Sequence, residues 1–383
     1  MKVGYDAKRI ARNGTGLGSY GRTLVNDIAR HGGVDIHLYA PDEGRADLRS
    51  QVLPGVKWHF ARSKPGLYSG QTSSLWRTWG IVKDLQRDGI QLYHGLSGEL
   101  PVGIRRSGIR SVVTIHDLIF LRHPEYYHWI DTKIYAWKFR QAIREADHII
   151  AISECTRRDI IELGHVDPAR ISVIYQSCAP RFKSEELRVK SEASDRRSSA
   201  SLFTLRSSLK RYILSVGSIE ERKNILLAVK ALHWLPEDVG LVIVGRPTKY
   251  TDAVRRFTAA NGLEARVQIL HGVSDAELPA LYAGAEAFVY PSRYEGFGIP
   301  IIEAISCGLP VVACTGSCLE EAGGPDSLYV APDDAEAMAA ALRQVLRGAE
   351  GREQRILRSR EYIRRFEGRD VAAQVIDLYR SLL

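Results

Sequence analysis

No apolar run in this sequence approaches the roughly 18 to 20 uninterrupted residues of a membrane-spanning helix. The start, Met1-Lys2-Val3-Gly4-Tyr5-Asp6, enters a strand-like run without the basic leader, apolar core or small-residue cleavage site of a secretion signal. A soluble, non-secreted, cytoplasmic protein is the expectation. Cysteine is sparse and unpatterned: Cys155, Cys178, Cys307, Cys314 and Cys318 are odd in number, with no Cys-x-x-Cys and no nearby histidine pairing. That argues against a disulfide framework or a zinc site and for free thiols in a reducing compartment. Short-period repeats and low-complexity arrays are also missing, which removes solenoids and fibres from consideration.

What is present is a globular composition, 45% hydrophobic and 26% charged over 383 residues. A chain of this length exceeds one ordinary compact core, so two domains are expected. The 53 Lys and Arg outnumber the 45 Asp and Glu, a net +8, with much of the excess in Lys183 to Arg211 and in Arg343 to Arg369. Such charge suits phosphorylated ligands, nucleic acid or an anionic membrane surface, or is simply a solvated face.

Short β-branched or apolar runs alternate with helix-compatible stretches through the first half: Val34 to Ala40, Val56 to Phe60, Ser111 to Ile115, His148 to Ile152 and Ile171 to Tyr175 read as strands. The rhythm restarts with Tyr212 to Gly217, Gly240 to Gly245, Arg266 to Leu270, Ala287 to Tyr290 and Pro310 to Ala313. An α/β fold follows, with two doubly wound, Rossmann-like domains facing across a cleft. Between them, Ser184 to Ser201 is rich in charge and serine and poor in apolar residues, as a linker or insertion is. The expected boundaries are 1–183, a linker or insertion at 184–209, a second domain at 210–366 and a closing helix at 367–383.

Four constellations carry chemistry. Asn-Gly-Thr-Gly-Leu-Gly-Ser-Tyr, residues 13–20, precedes a helix-like stretch from Gly21 to Arg30, and its glycines, Gly16 among them, let backbone N–H groups approach a phosphate. Gly16, Gly18 and Gly21 also fit Gly-x-Gly-x-x-Gly, with Asp42 placed for a ribose, so an NAD-dependent oxidoreductase is a rival reading. His116 and Asp117 close the strand Ser111 to Ile115, where ligands of doubly wound sheets bind. Arg222 and Lys223 fall at a loop-to-helix junction after the strand ending at Gly217, two adjacent cations suited to a diphosphate. In Glu295-Gly-Phe-Gly-Ile-Pro-Ile-Ile-Glu303, the first glutamate lies on a loop and the second in the first turns of a helix opened by Pro300. Either carboxylate can accept two hydrogen bonds from a vicinal diol. A non-catalytic basic binding protein is the remaining alternative, explaining the charge but not the glycine and glutamate geometry.

With these residues in place the chain resembles glycosyltransferase family 4, the retaining family of GT-B architecture, over nearly its whole length. The opening Gly-x-Asp strand, Thr-Gly-Leu-Gly-Ser-Tyr, Thr-Ile-His-Asp-Leu, His-Pro-Glu-Tyr-Tyr and Glu-Arg-Lys-Asn look most like its mannosyltransferase B branch. The resemblance implies that Glu303 holds the ribose hydroxyls of a nucleotide-sugar and Glu295 its hexose. Backbone groups of Phe297, Gly298 and Ile299 would meet hexose and phosphates, and Arg222 and Lys223 the diphosphate. Gly16 would approach the diphosphate from the other domain, His116 and Asp117 would face the hexose, and Val273 and Asp275 would lie beside the base. It further implies GDP-mannose as donor, with a UDP-sugar as the alternative, and a glycan or lipid-linked glycan acceptor in surface-polysaccharide synthesis such as that of lipopolysaccharide. No metal, no cofactor and no nucleic acid partner are expected, and the closing helix would cross back onto the first domain. One departure stands out: many members carry arginine directly after the glycine that ends the opening strand of the second domain, and here that position is Ser218. Acceptor contacts are expected on the first domain, where Glu125 to Arg140 and Ser74-Leu-Trp-Arg-Thr-Trp79 are dense in aromatic and basic residues. These could dock on a lipid-linked glycan or an anionic membrane, or merely pack.

Overall fold

A computed structural model describes residues 1–61, 75–176, 209–274, 276–366 and 368–383. The chain divides into two compact units, Met1–Ser177 with Phe366–Leu383, and Cys178–Arg365. The linker expected at 184–209 lies, but for Leu209, outside the described residues.

The first unit is a seven-stranded sheet in the order β3-β2-β1-β4-β5-β6-β7. Its strands are β1 (Lys2–Asp6), β2 (Asp35–Ala40), β3 (Lys57–Phe60), β4 (Leu92–Gly95), β5 (Arg110–Ile115), β6 (His148–Ala151) and β7 (Ile171–Val173). The second unit is six-stranded in the order β10-β9-β8-β11-β12-β13. It comprises β8 (Arg211–Val216), β9 (Val239–Val244), β10 (Val267–Leu270), β11 (Ala287–Tyr290), β12 (Val311–Cys314) and β13 (Leu328–Val330). Every pairing in both sheets is parallel. Parallel strands need helical crossovers that cover both faces, which is why β9, Val-Gly-Leu-Val-Ile-Val, is buried at every position. Each sheet is therefore doubly wound, as expected. The strand order reverses between β1 and β4 in the first unit and between β8 and β11 in the second. Ligands of such sheets bind at that reversal, beyond the C-terminal strand ends.

The predicted strands all form, with boundaries shifted by one or two residues. Two strands carried too little signal to be read from the sequence, β4 (Leu-Tyr-His-Gly) and β13 (Leu-Tyr-Val). In β4 the imidazole of His94 is fully buried. It is held by the hydroxyls of Tyr379, 2.6 Å from Nδ1, and Thr114, 2.8 Å from Nε2. Burial drives its pKa down to about 3, so the ring is neutral at physiological pH.

Tyr379 belongs to the closing helix Gly368–Leu382. Val371, Ala372, Val375, Ile376 and Tyr379 form one stripe of that helix and join the core of the first unit with Val3, Leu24 and Ile28. The chain thus returns to the unit from which it started. Among the described residues no helix is long and apolar enough to cross a membrane. Of the cysteines, Cys155, Cys314 and Cys318 are buried free thiols and Cys307 is a partly buried one; Cys178 lies outside the described residues.

Candidate active site

In the second unit three of the sequence-predicted residues, Arg222, Lys223 and Glu295, converge beside the reversal between β8 and β11. The ends of the paired strands β8 and β9 approach so closely that a Cβ on Gly245 would lie 1.8 Å from the Gly217 carbonyl oxygen, so only glycine fits. Beyond β8 the chain makes a 3₁₀ turn, Glu221–Lys223. It is stopped by Asn224 in the left-handed region (φ 53°), whose side-chain amide donates to the Pro332 carbonyl at 2.7 Å. The helix Ile225–Ala231 begins immediately after.

That turn aims both cations at the loop following β11. The Lys223 ammonium donates to Glu295 Oε1 at 2.6 Å and to the Tyr290 hydroxyl at 2.7 Å, and stands 5.0 Å from the centre of the Tyr290 ring. Arg222 Nη1 donates to the Tyr294 carbonyl at 2.6 Å and lies 3.0 Å from Glu295 Oε1. In return the Arg293 N–H donates to the Arg222 carbonyl at 2.9 Å, which ties the two loops together. Burial alone would raise the Glu295 pKa, but Lys223 and Arg222 outweigh it and bring it to about 2. Burial likewise works against the Lys223 charge and is outweighed by Glu295, so its pKa is raised. Two permanent cations therefore share one permanent buried carboxylate, with the more exposed Glu220 3.7 Å from Arg222 Nη2, and hold positive charge in a poorly solvated pocket wall.

The loop carrying Glu295 is itself fixed from below. The buried Cys318 thiol donates to the Phe297 carbonyl at 2.6 Å and the Glu295 carbonyl at 3.1 Å. Gly298, at φ 143°, occupies a region that side chains disfavour, and a Cβ there would meet Ala322 Cβ at 3.0 Å. The helix Ile299–Ser306 follows with Pro300 in its first turn, as its sequence predicts. Phe297 is buried. Glu303 is buried on the helix, and the Tyr282 hydroxyl donates to its Oε2 at 3.0 Å. Val273 lies on the loop after β10, an edge strand two positions from β8; Asp275 lies outside the described residues. Asp333 pairs with Arg293 at 2.5 Å, and Asp334 caps the helix Ala335–Arg343 by accepting from the Ala337 N–H at 2.8 Å.

In the first unit the glycine run differs from its expected form: the helix spans Gly16–His31 rather than starting at Gly21. Its three glycines answer different needs. A Cβ on Gly18 would lie 1.8 Å from the Asn13 carbonyl oxygen and one on Gly21 2.7 Å from Ile10, whereas one on Gly16 would meet nothing within 4 Å. Gly16 alone faces open space. The dinucleotide reading fails on this geometry, because the helix Lys8–Arg12 separates β1 from the glycine run and Asp42 is ion-paired with Arg12. A dinucleotide fingerprint turns directly out of the first strand.

His116 and Asp117 stand at the end of β5. His116 Nε2–H donates to the Leu96 carbonyl at 2.8 Å, Nδ1 accepts from the Gln176 side-chain amide at 2.9 Å, and the ring meets Tyr20 edge-on at 4.7 Å. Burial lowers its pKa to about 4. The imidazole is therefore a neutral, fixed group with both nitrogens engaged. Asp117 Oδ1 accepts from the Ile119 N–H at 3.2 Å. Sequence reading missed the supports of the site, Tyr282, Tyr290 and Cys318. Each is an ordinary core residue type in an ordinary apolar stretch, and only its long-range partner gives it a role.

Comparison with known proteins matches the model for Glycosyltransferase Family 4 over residues 14–177 and that for Glycosyl transferases group 1 over residues 203–362. The chain is 28% identical to O-antigen chain mannosyltransferase B of Escherichia coli over the full length of both. It is 28% identical to O-antigen chain mannosyltransferase RfbU of Salmonella typhimurium over 61% of this chain and 60% of that protein. Among solved structures, Anabaena HepE in complex with UDP and glucose aligns over the whole of both chains at TM-score 0.73 and 18% identity. WaaG, a glycosyltransferase involved in lipopolysaccharide biosynthesis, aligns over 99% of both at TM-score 0.70 and 18% identity.

Proposed function

The chain belongs to glycosyltransferase family 4, and from that premise we propose that it carries mannose from GDP-mannose, with retention and without a metal, to a glycan or lipid-linked glycan acceptor. The observation that carries this reading is the meeting of Arg222, Lys223 and Glu295 at the strand reversal of the second unit. As the glycosidic bond breaks, negative charge builds on the departing diphosphate. Fixed cations already in place stabilise that charge without reorganisation, the task a metal ion performs in other transferases. In the free protein Glu295 occupies both cations, and a bound diphosphate would share them. Glu295 then faces a hexose hydroxyl, Glu303, oriented by Tyr282, takes the ribose diol, and the backbone of Phe297, Gly298 and Ile299 offers its N–H groups at a helix start. Arg222 stands in for the arginine missing at Ser218, and Val273 and Asp275 border the base. On the first unit Gly16 is retained as a diphosphate contact and His116 and Asp117 as sugar-side contacts, His116 exchanging one of its present partners, Leu96 or Gln176, for a hydroxyl. Same-face attack by an acceptor hydroxyl, assisted by the leaving phosphate, follows from the family.

GDP-mannose is favoured by the likeness to two mannosyltransferases of O-antigen chains. The test is nucleotide-diphosphate release from GDP-, UDP- and ADP-sugars in EDTA, by the wild type and by Glu303→Ala. Release from GDP-mannose that the variant loses by a factor of about a hundred is expected, since a buried carboxylate accepting a diol is worth several kcal/mol. Release from a UDP-sugar instead would overturn the donor.

We further propose a cytoplasmic location with peripheral contact to an anionic membrane. On the helix Trp129–Glu145, Trp129 (64% exposed), Ile130, Ile134 and Trp137 (49%) stand in solvent, as does nearby Trp79 (54%). Lys133, Arg140 and Arg144 are exposed on the same helix, against one exposed acid, Asp131. Exposed indoles among cations suit a lipid headgroup layer. Flotation with phosphatidylglycerol vesicles should carry the protein, and the double substitution Trp129→Ser with Trp137→Ser should release most of it. Equal flotation of wild type and variant would remove this surface from consideration.

A further inference from the structure

Just beyond β11, Ser292 is 1% exposed, and its Oγ has no hydrogen-bond partner among the described residues. Few buried polar groups in folded proteins stay unpaired, because burial without a partner is unfavourable. We propose that Ser292 is a positioning residue whose hydroxyl donates to the Glu295 carboxylate when a nucleoside diphosphate draws Lys223 and Arg222 toward itself. This rests on the glycosyl-transfer reading and adds the group that takes over Glu295 once its cations are shared.

In the free protein Glu295 does not need this hydroxyl. Lys223 at 2.6 Å and Arg222 at 3.0 Å both meet its Oε1. A diphosphate carries more negative charge than one carboxylate and competes for both cations. Each cation that turns toward the ligand leaves Glu295 less compensated, and a buried carboxylate without compensation opposes binding. Glu295 cannot leave for solvent, because its loop is held at several points. The Cys318 thiol donates to the Glu295 carbonyl at 3.1 Å, Arg222 Nη1 to the Tyr294 carbonyl at 2.6 Å, and the Arg293 N–H to the Arg222 carbonyl at 2.9 Å. The replacement donor must therefore be at hand.

Ser292 lies on the same loop and is near enough to serve. Burial raises the Glu295 pKa, Lys223 and Arg222 bring it down, and the Ser292 hydroxyl adds to their effect. A cavity of about 10 Å³, room for one water, is lined by Ser292, Lys223 and Tyr290 together, which leaves the hydroxyl and the ammonium space to turn. A hydroxyl proton rotates to suit its acceptor, and an O–H donating to a carboxylate makes one of the stronger hydrogen bonds.

Isothermal titration calorimetry on the full chain with GDP, UDP and ADP tests this, the tightest binder of the three serving as the probe. A nucleoside diphosphate brings no hexose hydroxyl to Glu295, so the Ser292 contribution stands alone. Ser292→Ala should weaken binding about fivefold or more. It should leave the melting temperature of the free protein unchanged or slightly raised, because the hydroxyl it removes is unpaired there. In a Glu295→Gln background the same substitution should change binding by less than about twofold, since no carboxylate charge is left to hold. A loss of less than about fivefold in the wild-type background overturns the proposal. So does an equal loss in the Glu295→Gln background, which would place the hydroxyl on the ligand itself. A lowered melting temperature also overturns it, by showing that the hydroxyl already has a partner in the free protein, such as a water in the cavity. If the wild type binds none of the three diphosphates, the glycosyl-transfer reading fails instead.

Discussion

Replacing Lys223 by alanine is expected to lower kcat by about a hundred- to a thousandfold, with a much smaller change in KM for the donor. The Lys223 ammonium is held between Glu295 and Tyr290 at 2.6 and 2.7 Å, so its orientation is set before any ligand arrives. A charge fixed in a poorly solvated wall contributes more to a developing anion than the same charge in water. Loss of Lys223 also leaves Glu295 buried with Arg222 as its sole close cation, which raises the carboxylate pKa and loosens the loop. Because the Lys223 pKa is raised and that of Glu295 lies near 2, neither group titrates near neutrality. A kcat within threefold of wild type in steady-state kinetics would mean that the diphosphate is stabilised elsewhere.

The largest loss of stability is expected from Asp6→Ala, about 3–5 kcal/mol for the first unit. Asp6 is 3% exposed at the end of β1 and takes a two-pronged ion pair from the buried Arg77. Burial works against the carboxylate, but Arg77 outweighs it and holds Asp6 below the usual range, so the pair persists into acid. Removing Asp6 leaves Nε and Nη2 of a buried guanidinium without their carboxylate, with Glu99 at 2.8 Å from Nη1 and the Ser97 hydroxyl as the remaining partners and no way to shed the charge. For a unit of this size the midpoint of thermal unfolding should fall by roughly 6–20 °C. The double substitution Asp6→Leu with Arg77→Met should recover much of the loss, because two apolar groups carry no unpaired charge. Denaturant unfolding of the single variant within 1 kcal/mol of wild type, an outcome of about a fifth of the expected size, would contradict the argument.

Periodicity and local chemistry in the sequence determined the alternation of strands and helices, hence two parallel, doubly wound sheets, because burial on both faces of a parallel strand writes itself as a continuous apolar run. They also determined the places of Arg222, Lys223, Glu295 and Glu303, because glycines and Pro300 mark the strand-to-helix turns that carry them. Only the tertiary structure decided the rest. The four residues of β4 are too few to show a pattern; pairing with β1 and β5 places the strand, and its His94 meets Tyr379, 285 positions away. Gly16, Gly18 and Gly21 look alike in sequence, yet packing requires two of them and leaves one open. Asp6 and Arg77 are separated by 71 positions, and Lys223 and Glu295 by 72. Spacing along the chain carries no information about such pairs, because partners so far apart meet only where the sheet order brings their strand ends together. That order also turned two cations, a carboxylate and a glycine-bound loop into one site.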